Sequence, residues 1–288
     1  MTAPLFSVII PTYGRPGLLA QAVASVLAQT IDDLECLVVD DASPEAPQVP
    51  NDPRVRLIRR RRNGGEPAAR NTGLKQAKGR YVAFLDDDDR FRRGRLALAL
   101  EGLVRAPVSV CFRAGMDGVA SGNRRLEGEV HEVILNGLTP QIGQVAVHRE
   151  VMPPFDEGFQ ALTDVDWWLR LSRDQSVTTV PEVGLLYRRH DGPRNRNGTE
   201  ERVRCSLLLL DKHHEYFRTH PRAAAFRWRR IGLMAGLVGD FALARRALLR
   251  SLHHAASARA LLHLGRAVRP TRTAVSTVDR RTLEVVDG

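Results

Sequence analysis

The stretch Gly79-Arg80-Tyr81-Val82-Ala83-Phe84-Leu85-Asp86-Asp87-Asp88-Asp89 decides the fold. A short apolar, β-prone run ends abruptly in four consecutive carboxylates. Such a run reads as a buried strand of a parallel sheet. Ligands of open α/β sheets bind at the carboxyl ends of the strands, which is where these acids fall. Four acids side by side repel one another unless a cation sits among them, and a divalent metal with a phosphate on its far side is the simplest such cation. A wetted acidic turn is the competing interpretation of the run taken alone.

Working outward, Phe6 to Ile10 forms a first apolar strand, followed by the turn-rich loop Thr12-Tyr13-Gly14-Arg15-Pro16-Gly17. Leu18, Leu19, Ala22, Val23, Val26 and Leu27 recur at helical spacing. Leu34 to Val39 is a second buried strand ending in Asp40-Asp41, and Val55 to Ile58 is a third. Alternating strands and helices predict a mostly parallel, Rossmann-like α/β sheet flanked by helices. The basic run Arg59 to Arg62 and Asn63-Gly64-Gly65 lead into a helix bearing Ala68, Ala69, Arg70, Asn71, Leu74 and Lys75. Glycine lets a backbone approach a ligand closely, and arginine clamps phosphate or carboxylate. A helix over Leu96 to Val104 and a strand over Val108 to Phe112 follow, then strand candidates at Val130 to Leu135, Gln144 to Val147, Val177 to Val180 and Val183 to Tyr187. Trp167, Trp168 and Leu171 give a further helix an apolar face, with Asp164 in its first turn, where an aspartate also serves as a cap. Beyond Glu201 the pattern is helical, with basic outer faces. The expected organisation is a catalytic domain over 1–197 (halves 1–105 and 106–197), a helical region over 198–270 and a flexible tail over 271–288.

The chain has 288 residues, 43% hydrophobic and 26% charged, with a net charge of +10. That composition describes an ordinary globule, and the basic balance suits an anionic partner such as a nucleotide, nucleic acid or an acidic membrane face. Nucleic acid is disfavoured because no aromatic-basic platform or recognised motif accompanies the charge. Cys36, Cys111 and Cys205 are widely separated and read as buried free thiols of a reducing compartment. No signal peptide and no run of membrane-spanning length is evident, so a cytoplasmic protein is expected, with room for it to rest on a membrane surface. There is no P-loop, no Gly-x-Gly-x-x-Gly after the first strand and no Gly-x-Ser-x-Gly elbow, which argues against the corresponding enzyme classes.

Three carboxylate clusters, Asp40/Asp41, Asp86 to Asp89 and Asp164/Asp166, are therefore expected at one rim of the sheet. A metal among Asp86 to Asp89 would neutralise a diphosphate and make it a competent leaving group. Asp164 could take a proton from an incoming hydroxyl. Tyr13 could stack on a base, and Asp41 could accept its hydrogen bonds.

Phe6 to Arg15, Val38-Val39-Asp40-Asp41-Ala42-Ser43, Asn63-Gly64-Gly65 with Ala69-Arg70-Asn71-Thr72-Gly73, and Phe84 to Asp89 resemble, in order and spacing, the family 2 glycosyltransferases of GT-A fold. The resemblance covers roughly residues 5 to 192. It implies inverting, Mn- or Mg-dependent transfer of a sugar from a UDP-, GDP- or dTDP-sugar to a glycan, lipid-linked, peptide or small-molecule acceptor. By position it implies Pro11, Tyr13, Asp41 and Arg70 as nucleoside contacts, Asp86 and Asp87 near the ribose, and Asp88 as metal ligand. Asp164 falls at the family's catalytic base, although Thr163 stands where the family usually has glutamate. Arg188 and His190 resemble its Arg-x-His, with His190 able to touch the metal. The alternatives are an inactive sugar-nucleotide-binding module and a pyrophosphorylase, whose Gly-x-Gly-x-Arg loop is missing after the first strand. The C-terminal helices lie outside the resemblance; packing on the catalytic domain, a homodimer surface and contact with anionic lipid are their open roles.

Overall fold

The computed structural model describes residues 3–120, 122–134, 139–189, 198–255 and 262–264. The chain divides into two compact units, one of Met1–Ile134, Thr139–Phe159 and Thr163–Gly192, the other of Leu135–Leu138, Gln160–Leu162 and Pro193–Gly288.

The first unit is built on an eight-stranded sheet of order β3-β2-β1-β4-β7-β6-β8-β5. Its strands are β1 (Phe6–Thr12), β2 (Leu34–Asp40), β3 (Val55–Arg59), β4 (Tyr81–Phe84), β5 (Arg90–Phe91), β6 (Val108–Gly115), β7 (Val145–His148) and β8 (Val177–Tyr187). Its helices are α1 (Pro16–Leu27), α2 (Gly65–Gln76), α3 (Arg95–Leu103), α4 (His131–Ile134) and α5 (Thr163–Asp174). Strands β1 to β4 run parallel, β7 is antiparallel to both β4 and β6, and β5 is antiparallel to β8. The sheet is thus mixed and mostly parallel, as the sequence predicts.

Continuous apolar runs form the central strands because both faces are covered. Period-2 alternation still sorts their side chains into two layers. Val8, Ile10, Cys36, Val38, Ala83 and Leu85 pack with Leu19 and Val23 of α1 and Leu96 of α3. Ile9, Leu37, Val39, Val82 and Phe84 pack on the other face with Ala69 of α2 and with Trp167, Trp168 and Leu171 of α5. The register pairs Thr12 with Asp40 and Ile9 with Phe84. The carboxyl ends of β1, β2 and β4 therefore deliver Tyr13, Asp41 and Asp86 to the same edge.

Three local expectations change. Of the Val130 to Leu135 segment, Leu135 lies outside the described residues and the rest is not a strand: Val130 is buried and the short helix α4 follows, tied to α5 by His131 Nδ1 and Ser172 Oγ at 3.0 Å. Short apolar runs do not discriminate helix from strand by periodicity. Val177 to Tyr187 is one strand rather than two; its register against β6 jumps from Cys111↔Val180 to Phe112↔Val183, which leaves Pro181 and Glu182 out of the ladder. Such a bulge is where a strand tolerates proline. Strand β5, only two residues long, carries no sequence pattern. All three cysteines are buried free thiols, and burial pushes Cys36 up to about 12.

The second unit contains α6 (Thr199–Lys212), α7 (His214–Thr219), α8 (Pro221–Leu237) and α9 (Phe241–His254). Helices α8 and α9 form an antiparallel hairpin. Gly239 turns the chain at φ 82°, and Asp240 caps α9 by accepting from the Leu243 amide at 2.9 Å. Ser251 Oγ donates to the Ala225 carbonyl at 2.8 Å, and Gly232 admits Leu248 where a Cβ would collide with it. Among the described residues no helix is long and apolar enough to cross a membrane.

Gly79 abuts β1 so closely that a Cβ would enter the backbone of Phe6 and Ser7. Gly79→Ala is expected to destabilise the protein by about 3 kcal/mol in urea denaturation, the upper end of overpacking costs. Gly17→Ala, at a helical position open to solvent, is expected to be neutral or to stabilise by up to about 1 kcal/mol.

Candidate active site

The loop after β1 is laced to its neighbours. The Gly14 amide, with Gly14 at φ 66°, donates to Ser43 Oγ at 2.9 Å, joining this loop to the one after β2. Pro11 and Thr12 are buried and Tyr13 is half-buried. Thr12 Oγ1 donates to Asp87 at 2.8 Å. Arg15 reaches both Asp87 at 3.1 Å and Asp88 at 2.7 Å. The repulsion expected within the acid run is therefore met partly by a cation of the chain itself.

After β2, Asp40 accepts from the Ser43 amide at 3.0 Å and shapes the turn. Asp41 accepts from the Gly65 amide at 2.7 Å and the Gly64 amide at 3.1 Å, and it pairs with Arg60. The carboxylate thus satisfies amides at the amino end of α2, where the helix dipole favours an anion. Gly65 adopts φ 82°, a conformation that glycine reaches without strain.

The centre of the site is Arg70, which is only 1% exposed. One terminal nitrogen donates to Asp86 at 2.9 Å and the other to Asp164 at 3.2 Å. Glu66, one turn earlier on α2, completes an ion pair with it. The guanidinium lies 5.1 Å from the Phe155 ring centroid and 5.9 Å from that of Phe84. Burial works against the charged guanidinium, but Glu66, Asp86 and Asp164 outweigh it and hold Arg70 protonated. Asp86 and Asp164 keep 39% and 34% of their side-chain surface, so both face the open rim. Burial lifts the Asp164 carboxyl above its usual range; Arg70 pulls it down and Asp86 pushes it back up.

Asp89 is buried and accepts from the Arg188 amide at 2.8 Å. Arg188 also donates from Nε to the Asp88 carbonyl at 3.3 Å and reaches Gln21 at 3.2 Å. Arg188 therefore holds the end of β8 against the acid run. Burial raises the carboxyls of Asp87 and Asp89. His190 lies outside the described residues. Among those described, no three His, Cys, Asp or Glu side chains converge into a metal shell.

The structure brings Arg70, Asp86 and Asp164 together directly, and Asp87 and Asp88 join them through the acid run. Asp41 sits at the amino end of the helix that carries Arg70. Tyr13 and Pro11 line the adjoining loop. The sequence alone does not single out Arg15, Thr12 or Glu66. Glu66 carries the one readable signal, an acid four residues ahead of Arg70 on a helix.

Residues 7–149 match the model of glycosyl transferase family 2, and the chain belongs to that family. It is 28% identical over 186 residues to the UDP-Glc:alpha-D-GlcNAc-diphosphoundecaprenol beta-1,3-glucosyltransferase WfgD of Escherichia coli, covering 61% of this chain and 73% of that protein. It is 33% identical over 134 residues to the putative teichuronic acid biosynthesis glycosyltransferase TuaG of Bacillus subtilis, covering 44% of this chain and 53% of that one. Among solved structures, S. aureus TarS superposes with a TM-score of 0.68 at 18% identity, over 93% of this chain and 53% of TarS. The mannosyltransferase PcManGT from Pyrobaculum calidifontis, in complex with GDP-Man and Mn2+, gives 0.60 at 20% identity, over 100% of this chain and 85% of that one. The fold is the GT-A arrangement of a mixed sheet flanked by helices.

Arg70→Ala strands three carboxylates around a hole. A fully buried pair broken this way costs about 3–5 kcal/mol, and the partly wetted acids reduce that to about 2 kcal/mol in urea denaturation. Combining it with Asp164→Asn is expected to cost less than the sum of the two single changes, because the second removes part of the repulsion the first creates.

Proposed function

We propose that this chain transfers a sugar from a nucleoside-diphosphate donor to an acceptor hydroxyl with inversion, using Asp164 as general base. The observation that carries this reading is the buried guanidinium of Arg70 held between Asp86 and Asp164 at 2.9 and 3.2 Å. It fixes a carboxylate of the acid run and a separate, half-exposed carboxylate at a set spacing on one rim. Inverting transfer needs those two functions apart: stabilisation of a departing diphosphate on one side and removal of a proton on the other. Family membership supports the reaction class. The donor class is supported by relatives of the same fold whose complexes hold UDP-GlcNAc and GDP-Man.

The nucleoside lies over the loops after β1 and β2, with Pro11 and Tyr13 against its base, while Asp41 and Arg70 hold α2 in place beside it. Asp86 and Asp87 face the ribose. Asp164 accepts the proton of the acceptor hydroxyl as its oxygen attacks the anomeric carbon, and the bond to the diphosphate breaks on the opposite face. Arg70 keeps the Asp164 carboxylate ionised and aimed while its own charge is held by three acids. Arg15 is free to exchange a carboxylate for a phosphate oxygen, since guanidinium serves both equally.

The donor set of the acid run fits a hard divalent cation such as Mg or Mn. It offers carboxylate oxygens from one tight turn, and such ions take much of their shell from water and phosphate. Asp88 and His190 would be the protein ligands of the ion, and the ion would supply charge neutralisation at the diphosphate. Arg15 now neutralises Asp88, so ion and arginine compete for one carboxylate. The acceptor is a hydroxyl-bearing glycan or lipid-linked glycan, the class that the names of WfgD and TuaG support, and the chain works beside a membrane as a peripheral protein.

Asp164→Asn is expected to abolish transfer while nucleotide affinity, measured by calorimetry, stays within about twofold; near-normal turnover would refute the base assignment. The raised Asp164 carboxyl must be ionised to act, so kcat/KM should fall as pH drops through its pKa. Arg70→Gln removes the influence that lowers that pKa, so the acidic limb should move to higher pH. Asp88→Ala is expected to weaken donor binding only when Mn is present. Arg15→Gln is expected to tighten Mn binding measured without donor, by several-fold, because the competing cation is gone; unchanged or weaker Mn affinity would contradict the competition.

A further inference from the structure

The second unit carries a feature that sugar transfer does not use. Between Pro221 and His254 the chain has seven arginines and one acid, Asp240, a net of +6 out of +10 for the whole protein. The preceding helices contrast with this. Arg204 pairs with Glu201 at 2.6 Å on α6, and Arg218 with Glu215 at 2.7 Å on α7. The α8–α9 hairpin has no such acids, and its single carboxylate is occupied as the α9 cap.

Helix α9 is two-faced. Ala244, Ala247, Leu248 and Ser251 are buried. The opposite side presents Phe241, Arg245 and Leu249 at four-residue spacing, with Arg246 and Arg250 alongside; all five are exposed. Phe241 is 43% and Leu249 55% exposed, and Leu237 and Val238 stand exposed at the hairpin tip. Four of the eight exposed large apolar side chains among the described residues fall within this one short stretch, so the patch is not random surface scatter. Among the described residues none of Arg245, Arg246 and Arg250 has an ion-pair partner; Arg250 lies 4.6 Å from the centroid of the Trp228 ring.

We propose that this outer face of α9, with the Leu237-Val238 tip, docks on an anionic lipid surface. Apolar side chains flanked by arginines on one face of a helix match an interface where acyl chains begin just beneath charged headgroups. Each arginine near such a surface is attracted to its negative potential, and no acid on α9 opposes them. A nucleic acid would use the arginines but leave Phe241, Leu249, Leu237 and Val238 in water. A second copy of this chain meeting the same face would bring two arginine-rich patches together with no acid between them, since an isologous contact repeats one patch on both sides. An anionic lipid surface satisfies both halves of the pattern.

The test is co-sedimentation of the full chain with vesicles of phosphatidylcholine plus phosphatidylglycerol, against phosphatidylcholine alone. The protein should partition onto the anionic vesicles only, and added salt should release it. Arg245→Glu with Arg246→Glu, and separately Phe241→Ser with Leu249→Ser, should each lower partitioning at least tenfold. Unchanged circular dichroism in each pair would exclude loss of folding. Equal binding to neutral vesicles, or insensitivity to both pairs of changes, would overturn the proposal. So would a dimer in sedimentation velocity that Phe241→Ser with Leu249→Ser dissociates, without vesicle binding. Binding of duplex DNA that needs the two arginines but not Phe241 and Leu249, again without vesicle binding, would also overturn it. The measurement involves no donor, so its failure leaves the transferase reading standing, and the reverse holds as well.

Discussion

A guanidinium buried in the first unit sets the terms for everything near it. Arg70 has given up its water, and aromatic rings of Phe84 and Phe155 flank it. A charge so placed is costly, and fixed acids around it offset the cost. Three do, from three different elements: Glu66 on α2 itself, Asp86 at the end of β4 and Asp164 in the first turn of α5. The demand for charge balance thus locks a helix, a strand end and a second helix into one piece. It also fixes the distance between the acid run and the Asp164 carboxylate, and the proposed catalysis by positioning depends on that kind of distance.

Around this centre the remaining acids are quieted by the chain's own donors. Thr12 and Arg15 engage Asp87, Arg15 engages Asp88, and the Arg188 amide engages Asp89. Asp41 is spent on the amino end of α2, which anchors the helix that carries Arg70. Of these partners Arg15 is the most open, keeping 37% of its side-chain surface, so its contacts are the ones a phosphate or cation can most readily replace. Arg70 is different: its partners come from the fold, and exchanging them would disturb the packing of Trp167 and Phe155 behind it.

Much of this was legible in the sequence. Buried runs at Phe6 to Ile10, Leu34 to Val39 and Tyr81 to Leu85 predict parallel strands, and an acid at the end of two of them predicts a polar rim. Asp164 was legible from its place at the start of an apolar-faced helix. Arg70 was singled out as a ligand clamp, but its enclosure by Glu66, Asp86 and Asp164 joins residues far apart in the chain, which no local pattern encodes. Arg15 was hidden for the same reason, since its partners lie more than seventy positions away. The segment at Val130 marks a limit of periodicity: a few apolar residues suit helix and strand alike, and the observed helix is held to α5 by a contact between His131 and Ser172 that no local pattern encodes.

The most direct test of the central claim is a crystal structure of the protein soaked with Mn and a nucleoside-diphosphate sugar. The account predicts an anomalous Mn peak beside Asp88, the diphosphate against it, and Arg70 still bridging Asp86 to Asp164, with the Asp164 carboxylate facing the anomeric carbon. A nucleotide bound away from Asp41 and Asp88, or a bound state in which Arg70 has left Asp164, would contradict it.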